Sequence, residues 1–176
     1  EEGATFTHCV PTILQMLLTA PEAEETDLTR LKMVVGGSAL PRGLAEAARA
    51  RGIDIYAGYG LSETCPVLSF AVLSPGEEDD VEARIKTGRP LPLVDLRIVD
   101  EDMVMQPHDG TSTGEVVVRA PWLTSEYLKN PEATAELWRG GYMHTGDVGH
   151  IDKEGSLMIT DRMKDVIKSG GEWVSS

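Results

Sequence analysis

A strand, a glycine-rich break, a helix and a second strand follow one another in the first third of the chain, and this succession constrains the fold most. The apolar run Leu31–Val35 predicts a buried strand, which Gly36-Gly37 interrupts. Pro41 opens a helix that is predicted to end at Gly52, before a second strand, Ile53–Tyr56. Such a unit is parallel and right-handed, and in parallel sheets ligands bind beyond the carboxyl ends of the strands.

Other segments extend this α/β pattern and then depart from it. Val10 to Leu18 has the apolar spacing of one helical face, which predicts a short amphipathic helix before the parallel unit. Later in the chain, three short strand candidates alternate with turn sequences and predict a small antiparallel barrel or sheet. These candidates are Asp95–Val99, Glu115–Arg119 and Ser156–Thr160.

Two connecting segments can also be interpreted. The acidic stretch Ser74–Glu82 lacks any apolar period, so we expect a solvated loop between two subdomains. Asn130-Pro131 combines an N-cap residue with a first-turn proline and predicts a helix that reaches Trp138.

Composition limits the partners and the location of the protein. A net charge of -13 would repel a nucleic-acid backbone, so no nucleic-acid partner is expected. No apolar run is long enough for a transmembrane helix, and the Glu-Glu start does not resemble a signal peptide. We therefore expect a soluble, cytoplasmic protein, with peripheral membrane contact and oligomeric state left open. Cys9 and Cys65 indicate neither a disulfide framework nor a zinc site, and both are expected to be buried.

The turn after the second predicted strand carries a hydroxyl and a carboxylate, on Ser62 and Glu63, directly after Gly58-Tyr-Gly60. Activation of a carboxylic acid by ATP needs hydrogen-bond donors, a metal-binding carboxylate and cations around the α-phosphorus. The same segment is also typical of a turn whose polar residues satisfy backbone groups. Taken alone, the segment favours the turn interpretation, and only further motifs downstream can overturn it.

Two further motifs match other site classes only in part. Gly36-Gly-Ser-Ala-Leu40 lacks the third glycine of a dinucleotide-binding loop. Gly60-Leu-Ser-Glu-Thr64 is similar to a nucleophile elbow but ends in threonine where that motif has glycine. A hydrolase with Ser62 as its nucleophile therefore stays as an alternative.

Three segments taken together resemble the signature of the adenylate-forming, or AMP-binding, superfamily: Tyr56–Thr64, Tyr142–Asp147 and Asp161–Gly171. Within it, the ending Gly170–Ser176 is most similar to medium- and long-chain fatty-acyl-CoA synthetases. The resemblance implies that a fatty acid is activated with ATP and Mg²⁺ as acyl-AMP and then transferred to CoA, releasing AMP and pyrophosphate. Luciferase-like enzymes, peptide-synthetase adenylation domains and a scaffold without enzymatic activity remain alternatives.

The resemblance also assigns roles to single residues. It implies that Asp147, at a predicted strand end, binds the ribose diol and that Glu63 binds Mg²⁺. It implies that Lys164 is the hinge of the small domain, and it gives His144 no role. The residues implied in catalysis are Ser62, Glu63, Lys164 and Lys168. Those implied in ATP or AMP binding are Gly36, Gly37, Ser38, Tyr59, Gly60, Ser62, Asp147 and Arg162. Those implied in acyl or CoA binding are His8, Val10, Gly171, Glu172 and Trp173.

These implications divide the chain into three parts. Residues 1–92 are expected to form part of the α/β subdomain, residues 93–161 a β-barrel-like subdomain, and residues 162–176 the hinge and the start of a mobile C-terminal domain. The family's phosphate loop and its late catalytic lysine have no counterpart in the chain. The expectation from the sequence is therefore an interior piece of a longer ligase, with negligible acyl-CoA synthesis by itself.

Overall fold

The computed structural model describes residues 3–163 and the backbone of the short strands Ile167–Ser169 and Glu172–Val174. The chain forms two compact units. The first unit comprises Glu1–Gly60 and Ser69–Gly88, and the second unit comprises Leu61–Leu68 and Arg89–Ser176. The domain boundaries inferred from the sequence, after residues 92 and 161, stay predictions.

A mixed sheet forms the centre of the first unit. Its strands lie in the order β1, β2, β3 and β4, with β1 to β3 parallel and β4 antiparallel to β3. The strands are β1 (Phe6–Cys9), β2 (Lys32–Val35), β3 (Asp54–Tyr59) and β4 (Ser69–Phe70). The predicted parallel strand–helix–strand unit is therefore confirmed.

Helices cover this sheet and supply small or branched apolar residues to the core. They are α1 (Pro11–Thr19), α2 (Arg42–Ala50) and α3 (Val81–Ile85), with a 3₁₀ turn at Pro21–Ala23. Ala45 and Ala48 of α2 are fully buried against the core that contains Leu14, Met33 and Ile55. Small side chains on α2 let the helix approach the sheet closely, which buries more apolar surface.

One expectation about the acidic stretch was wrong at its end. Glu82 lies in α3 rather than in a loop, because Asp80 caps this helix by accepting a hydrogen bond from the Glu82 N–H at 2.8 Å. The cysteine expectation was also wrong in part. Cys65 is exposed, whereas Cys9 is partly buried and burial raises the pKa of its thiol.

A buried cation joins α3 to the sheet of the first unit. Arg84 is only 3% exposed, and its guanidinium donates to Asp54 Oδ1 at 2.8 Å and to the Ile55 carbonyl at 2.9 Å. It also lies 5.0 Å from the centre of the Tyr56 ring. Burial raises the pKa of Asp54, but hydrogen bonds from Arg84 and Tyr56 outweigh burial and leave this pKa below its ordinary value.

We expect Asp54→Ala to lower the free energy of unfolding by about 2 kcal/mol, because the buried Arg84 guanidinium loses its charged partner. Urea denaturation of the chain at neutral pH measures this. Asp79→Ala is the matched control, since Asp79 pairs with Arg49 at 2.7 Å but its side chain is 97% exposed. The control should change stability by less than about 0.5 kcal/mol; equal losses in the two variants would contradict the argument.

The same ion pair predicts a pH dependence. Because the folded-state pKa of Asp54 is lowered, its contribution to stability is present above the ordinary carboxyl pKa and is lost as pH falls through the lowered value. The difference in unfolding free energy between wild type and Asp54→Ala should therefore shrink on acidification below about pH 4. A difference that stays constant with pH would show that the carboxylate charge does not contribute.

The second unit is built on an antiparallel sheet in the order β6, β7, β8 and β9. The strands of this unit are β5 (Arg89–Pro90), β6 (Asp95–Val99), β7 (Gly114–Arg119), β8 (Met143–Ile151), β9 (Leu157–Arg162), β10 (Ile167–Ser169) and β11 (Glu172–Val174). Of these, β6 to β9 form the antiparallel sheet, and β10 pairs separately with β11. Its helix is α4 (Pro131–Leu137), and 3₁₀ turns span Ser62–Thr64 and Arg139–Gly141. Asn130 caps α4 as predicted, because its side chain accepts from the Ala133 N–H.

The middle strand β7 is covered on both faces, since Val116, Val117 and Val118 are all fully buried. Because both faces are buried, the sequence of this strand is a continuous apolar run rather than an alternation of apolar and polar residues. Within the described residues, no helix has the length and apolar character needed to cross a membrane.

Candidate functional site

The predicted ligand-facing residues of the first unit lie at or just beyond the carboxyl ends of its parallel strands. We call this set the glycine edge; it comprises His8, Val10, Gly36, Gly37, Ser38, Tyr59 and Gly60. The Gly36 N–H donates to the Cys9 carbonyl at 3.0 Å, which joins the ends of β1 and β2. The edge is thus formed by backbone segments from three neighbouring strands.

Two glycines are needed at this edge for different physical reasons. A Cβ on Gly36 would lie 3.0 Å from the Gly58 carbonyl oxygen, so glycine lets β2 and β3 approach closely. Gly37 has a φ of +81°, a left-handed conformation that side chains disfavour. A Cβ on Gly37 would also lie 3.2 Å from Val10 Cγ1. Gly37 and Ser38 are exposed, so this turn is open to solvent.

A short 3₁₀ turn in the second unit carries Ser62 and Glu63. Thr64 is fully buried, and its hydroxyl accepts from the Leu61 N–H at 2.8 Å. This contact closes the turn and gives the Leu61 N–H a side-chain acceptor. Ser62 consequently lies exposed at the start of the turn, and Glu63 is partly buried.

The Glu63 carboxylate has a partner far away in sequence. The Tyr127 hydroxyl donates to Glu63 Oε1 at 2.8 Å, and the Thr124 N–H donates to the Glu63 carbonyl at 2.9 Å. Burial, and then the hydrogen bond to Glu63, raises the pKa of the Tyr127 phenol. The phenol is therefore a neutral donor at physiological pH, so it brings no positive charge to the carboxylate.

Asp147 lies in the middle of β8, so its predicted position at a strand end was wrong. It is only 4% exposed, and its Oδ1 lies 3.2 Å from Arg162 Nε. The two residues are register partners across β8 and β9, next to an irregularity between Val148 and Gly149. A Cβ on Gly149 would lie 2.5 Å from the Met158 carbonyl oxygen, so the strands approach closely beside the site.

A buried histidine–glutamate pair supports the backbone just before Asp147. His144 Nδ1 lies 2.8 Å from Glu115 Oε2, and His144 Nε2 lies 3.0 Å from the Arg139 carbonyl. Both neighbours of the ring are acceptors, a carboxylate oxygen of Glu115 and the backbone carbonyl of Arg139. Glu115 Oε1 in turn accepts from the Gly146 N–H at 3.2 Å. The pair thus connects β7 to the turn of backbone that precedes Asp147.

This pair was not predicted from the sequence, which gave no reason to assign His144 a role. One feature of the sequence does point to the pair: the acid Glu115 stands at the start of the apolar run of β7. A charged residue is unexpected in a buried strand unless it has a partner. The partner itself could not be found, because it lies 29 residues further along the chain.

Comparison with known proteins identifies the family. The family model described as AMP-binding enzyme matches residues 1–128. The chain belongs to the AMP-binding enzyme family. It is 44% identical over 182 aligned positions to a long-chain-fatty-acid–CoA ligase of Thermus thermophilus, covering 99% of this chain and 34% of that protein. It is 41% identical to a 2-succinylbenzoate–CoA ligase of a Geobacillus species, covering 80% of this chain and 27% of that protein.

Comparison with solved structures gives the same family. An amide bond synthetase from Marinactinospora thermotolerans superposes with a TM-score of 0.84 at 34% identity, covering 99% of this chain and 35% of that one. The predicted α/β fold with a separate antiparallel part, and the resemblance to adenylate-forming enzymes, are confirmed. The chain spans about a third of the length of these relatives.

The structure brings together some of the residues implied by the AMP-binding resemblance, while others lie elsewhere in the chain or outside the described residues. The glycine edge collects its members in the first unit, while Asp147 and Arg162 meet in the second. Lys168 lies on β10, and Glu172 and Trp173 lie on β11. Lys164 and Gly171 lie outside the described residues. All of these site assignments stay predictions.

We expect His144→Ala to lower the free energy of unfolding by about 2 kcal/mol, because the buried Glu115 carboxylate loses a donor. Hydrogen exchange of the Gly146 amide should also accelerate, since that amide donates to the same carboxylate. His108 is exposed, so His108→Ala is the control and should have little effect. Unchanged stability in His144→Ala would show that the pair does not support this backbone.

Proposed function

We propose that this chain is part of an ATP-dependent acid–thiol ligase that forms an acyl-AMP and then transfers the acyl group to CoA, releasing AMP and pyrophosphate. The observation that carries the proposal is the buried Asp147 carboxylate, paired with Arg162 on the neighbouring strand. A carboxylate can accept two hydrogen bonds from the two hydroxyls of a ribose. The Arg162 guanidinium, with its side chain 61% exposed, is a donor fork for ribose or phosphate oxygens.

The glycine edge and Ser62 supply the other contacts that we propose for the nucleotide. A turn without side chains lets a ligand approach the backbone at Gly36 and Gly37, while Tyr59 and Gly60 are proposed to lie against the adenine. The exposed Ser62 hydroxyl is proposed to contact phosphate. His8 and Val10, both exposed at the end of β1, are proposed to border the acyl group.

Glu63 is the proposed protein ligand of Mg²⁺. Within the described part of the chain, no cluster of three His, Cys, Asp or Glu side chains could hold a metal ion. This fits Mg²⁺ in a nucleotide site, because Mg²⁺ is commonly held there by one or two carboxylates together with substrate phosphates. The hydrogen-bond donor on Glu63 Oε1 is a neutral phenol, which brings no positive charge to the proposed metal ligand. Bound Mg²⁺ would offset the charge of the phosphates during adenylation.

The finer parts of the proposal rest on the family resemblance. The relatives named above use different acids and, for the amide bond synthetase, a different type of bond, so the fatty acid and the CoA acceptor are proposals. The same is true of Lys164 as the hinge and of Lys168, Gly171, Glu172 and Trp173 in the thioester step. The cytoplasmic location also stays a prediction.

The hydrolase alternative has less support. A serine nucleophile needs a base within hydrogen-bond distance. Among the described residues, no histidine forms a hydrogen bond with the Ser62 hydroxyl, and the His144 ring contacts Glu115 and Arg139 instead. Labelling with a fluorophosphonate separates the two functions, since the ligase proposal expects no adduct on Ser62.

Calorimetric titration of the chain with a non-hydrolysable long-chain acyl-sulfamoyl adenosine tests whether this part carries a preformed adenylate site. Binding that is lost in Asp147→Ala supports the proposal. Absence of binding would instead favour the alternative that the isolated chain is a scaffold, whose site requires further segments of a longer protein.

In a full-length protein that contains this sequence, Asp147→Ala should weaken ATP use by about 1–3 kcal/mol in kcat/KM, because the ribose diol loses its acceptor. The steady-state rate of acid-dependent pyrophosphate release, measured against ATP concentration, gives this value. Asp102→Ala removes an exposed carboxylate in the same unit and is the control. An unchanged dependence on ATP would remove Asp147 from the proposed site.

A further inference from the structure

The contact between Tyr127 and Glu63 joins two segments that are 64 residues apart, and the family resemblance assigns no role to the tyrosine. Both residues lie in the second unit. The 2.8 Å distance from the phenol oxygen to Glu63 Oε1 is that of a well-formed O–H···O hydrogen bond. The contact therefore defines the orientation of a carboxylate on a short turn.

Two hydrogen bonds hold the backbone of Tyr127 in place. Its N–H donates to Thr134 Oγ1 at 3.0 Å, and its carbonyl accepts from the Asn130 N–H at 3.2 Å. Asn130 is also the capping residue of α4. The backbone of Tyr127 is thus anchored to the start of a helix, and its hydroxyl lies within hydrogen-bond distance of Glu63.

A second contact fixes the backbone of Glu63 at the same time. The Thr124 N–H donates to the Glu63 carbonyl at 2.9 Å, three residues before the tyrosine. A glutamate side chain has several rotatable bonds, and it loses rotamer freedom when it must bind an ion in one geometry. With the backbone held by Thr124 and one carboxylate oxygen held by Tyr127, most of that freedom is removed before a ligand binds.

We propose that Tyr127 is a positioning residue that holds Oε1 of Glu63 and leaves Oε2 as the oxygen for a divalent cation. The inference rests on the proposed role of Glu63 as a Mg²⁺ ligand. Hydrogen-bonded partners of metal-binding carboxylates orient the ligand and typically change metal affinity when they are removed. Tyr127 therefore acts on the metal through Glu63 and does not contact the reacting atoms.

The competing explanation is purely structural, since the same hydrogen bond ties the turn at Glu63 to the start of α4. The two explanations differ in what they predict for metal binding. Loss of a structural tie lowers stability without changing the Mg²⁺ concentration that the folded protein needs. Loss of a positioning contact raises that concentration.

The test is Tyr127→Phe in a full-length protein that contains this sequence, assayed for acyl-AMP formation over a range of Mg²⁺ concentrations. The half-saturating Mg²⁺ concentration should rise about tenfold, with a much smaller change in the rate at saturating Mg²⁺. Binding of Mn²⁺ together with a non-hydrolysable ATP analogue, followed by electron paramagnetic resonance, should weaken by a similar factor.

Tyr142→Phe is the matched control. The Tyr142 hydroxyl donates to Asp95 Oδ2 at 2.7 Å, so this variant loses the same type of phenol–carboxylate hydrogen bond elsewhere in the same unit. It should leave the half-saturating Mg²⁺ concentration unchanged. A tenfold rise in the control as well would show that general loosening of the unit, rather than Glu63, causes the effect, and would overturn the proposal.

Glu63→Gln separates failure of this inference from failure of the proposed function. If Glu63→Gln leaves the Mg²⁺ requirement unchanged, Glu63 is not a metal ligand, and both its proposed role and the positioning role of Tyr127 fail, while the ligase proposal still rests on Asp147. If Glu63→Gln raises the requirement but Tyr127→Phe does not, the positioning role alone is wrong.

Replacement of Tyr127 by 4-aminophenylalanine gives a rescue experiment that is informative even if Tyr127→Phe folds poorly. The para-amino group fills the same space and retains a hydrogen-bond donor. It should restore the half-saturating Mg²⁺ concentration to within about threefold of wild type, given the modest free energy of one hydrogen bond. A folded amino variant with a fully raised Mg²⁺ requirement would contradict the proposal.

Discussion

A buried charge must have a partner, and this requirement connects the fold of the chain with its candidate site. Arg84, Glu115 and Asp147 are the charged side chains that are almost completely buried in the described residues, and each has a partner of opposite charge or an imidazole beside it. In each pair the two partners lie on different strands, or on a strand and a helix. Because an unpaired buried charge is strongly unfavourable, each pair fixes which elements can pack together. The pairing of buried charges that holds the strands together therefore also determines the position of Asp147.

The backbone around Asp147 shows how this placement is achieved. Glu115 receives hydrogen bonds from His144 and from the Gly146 N–H, so one buried carboxylate defines the path of the chain on both sides of Thr145. The Thr145 hydroxyl donates to the Val116 carbonyl at 2.8 Å and accepts from the Asp147 N–H at 3.1 Å. The position of the Asp147 carboxylate thus depends on the Glu115 side chain and the Val116 carbonyl of β7. A rigid support of this kind is what a preorganised binding site needs.

Local patterns in the sequence predicted the parallel unit well, because periodicity, glycine breaks and capping residues act over a few neighbouring residues. The helices α1 and α2 and the capping by Asn130 are examples. Contacts between distant segments were not predictable in this way. The Glu63–Tyr127 and Glu115–His144 pairs depend on strand register and on loop paths, which no local pattern contains. Asp147 was misplaced for a related reason: Gly146 and Gly149 resemble strand breakers, yet both lie within β8. Gly146 has a φ of +71°, and Gly149 lets β8 and β9 approach closely beside the irregularity.

The two carboxylates proposed for the nucleotide differ in a way that suits different ligands. Asp147 is buried beside a guanidinium, so the pair is close to neutral and is suited to neutral hydroxyl donors rather than to a second cation. Glu63 is partly buried beside a neutral phenol, so its negative charge is not compensated by that partner. Coulomb attraction to a divalent cation falls when a carboxylate is already paired with a cation, and it is retained when the partner is a neutral donor. The identity of each partner, arginine or tyrosine, is thereby consistent with the proposal of ribose at Asp147 and a metal ion at Glu63.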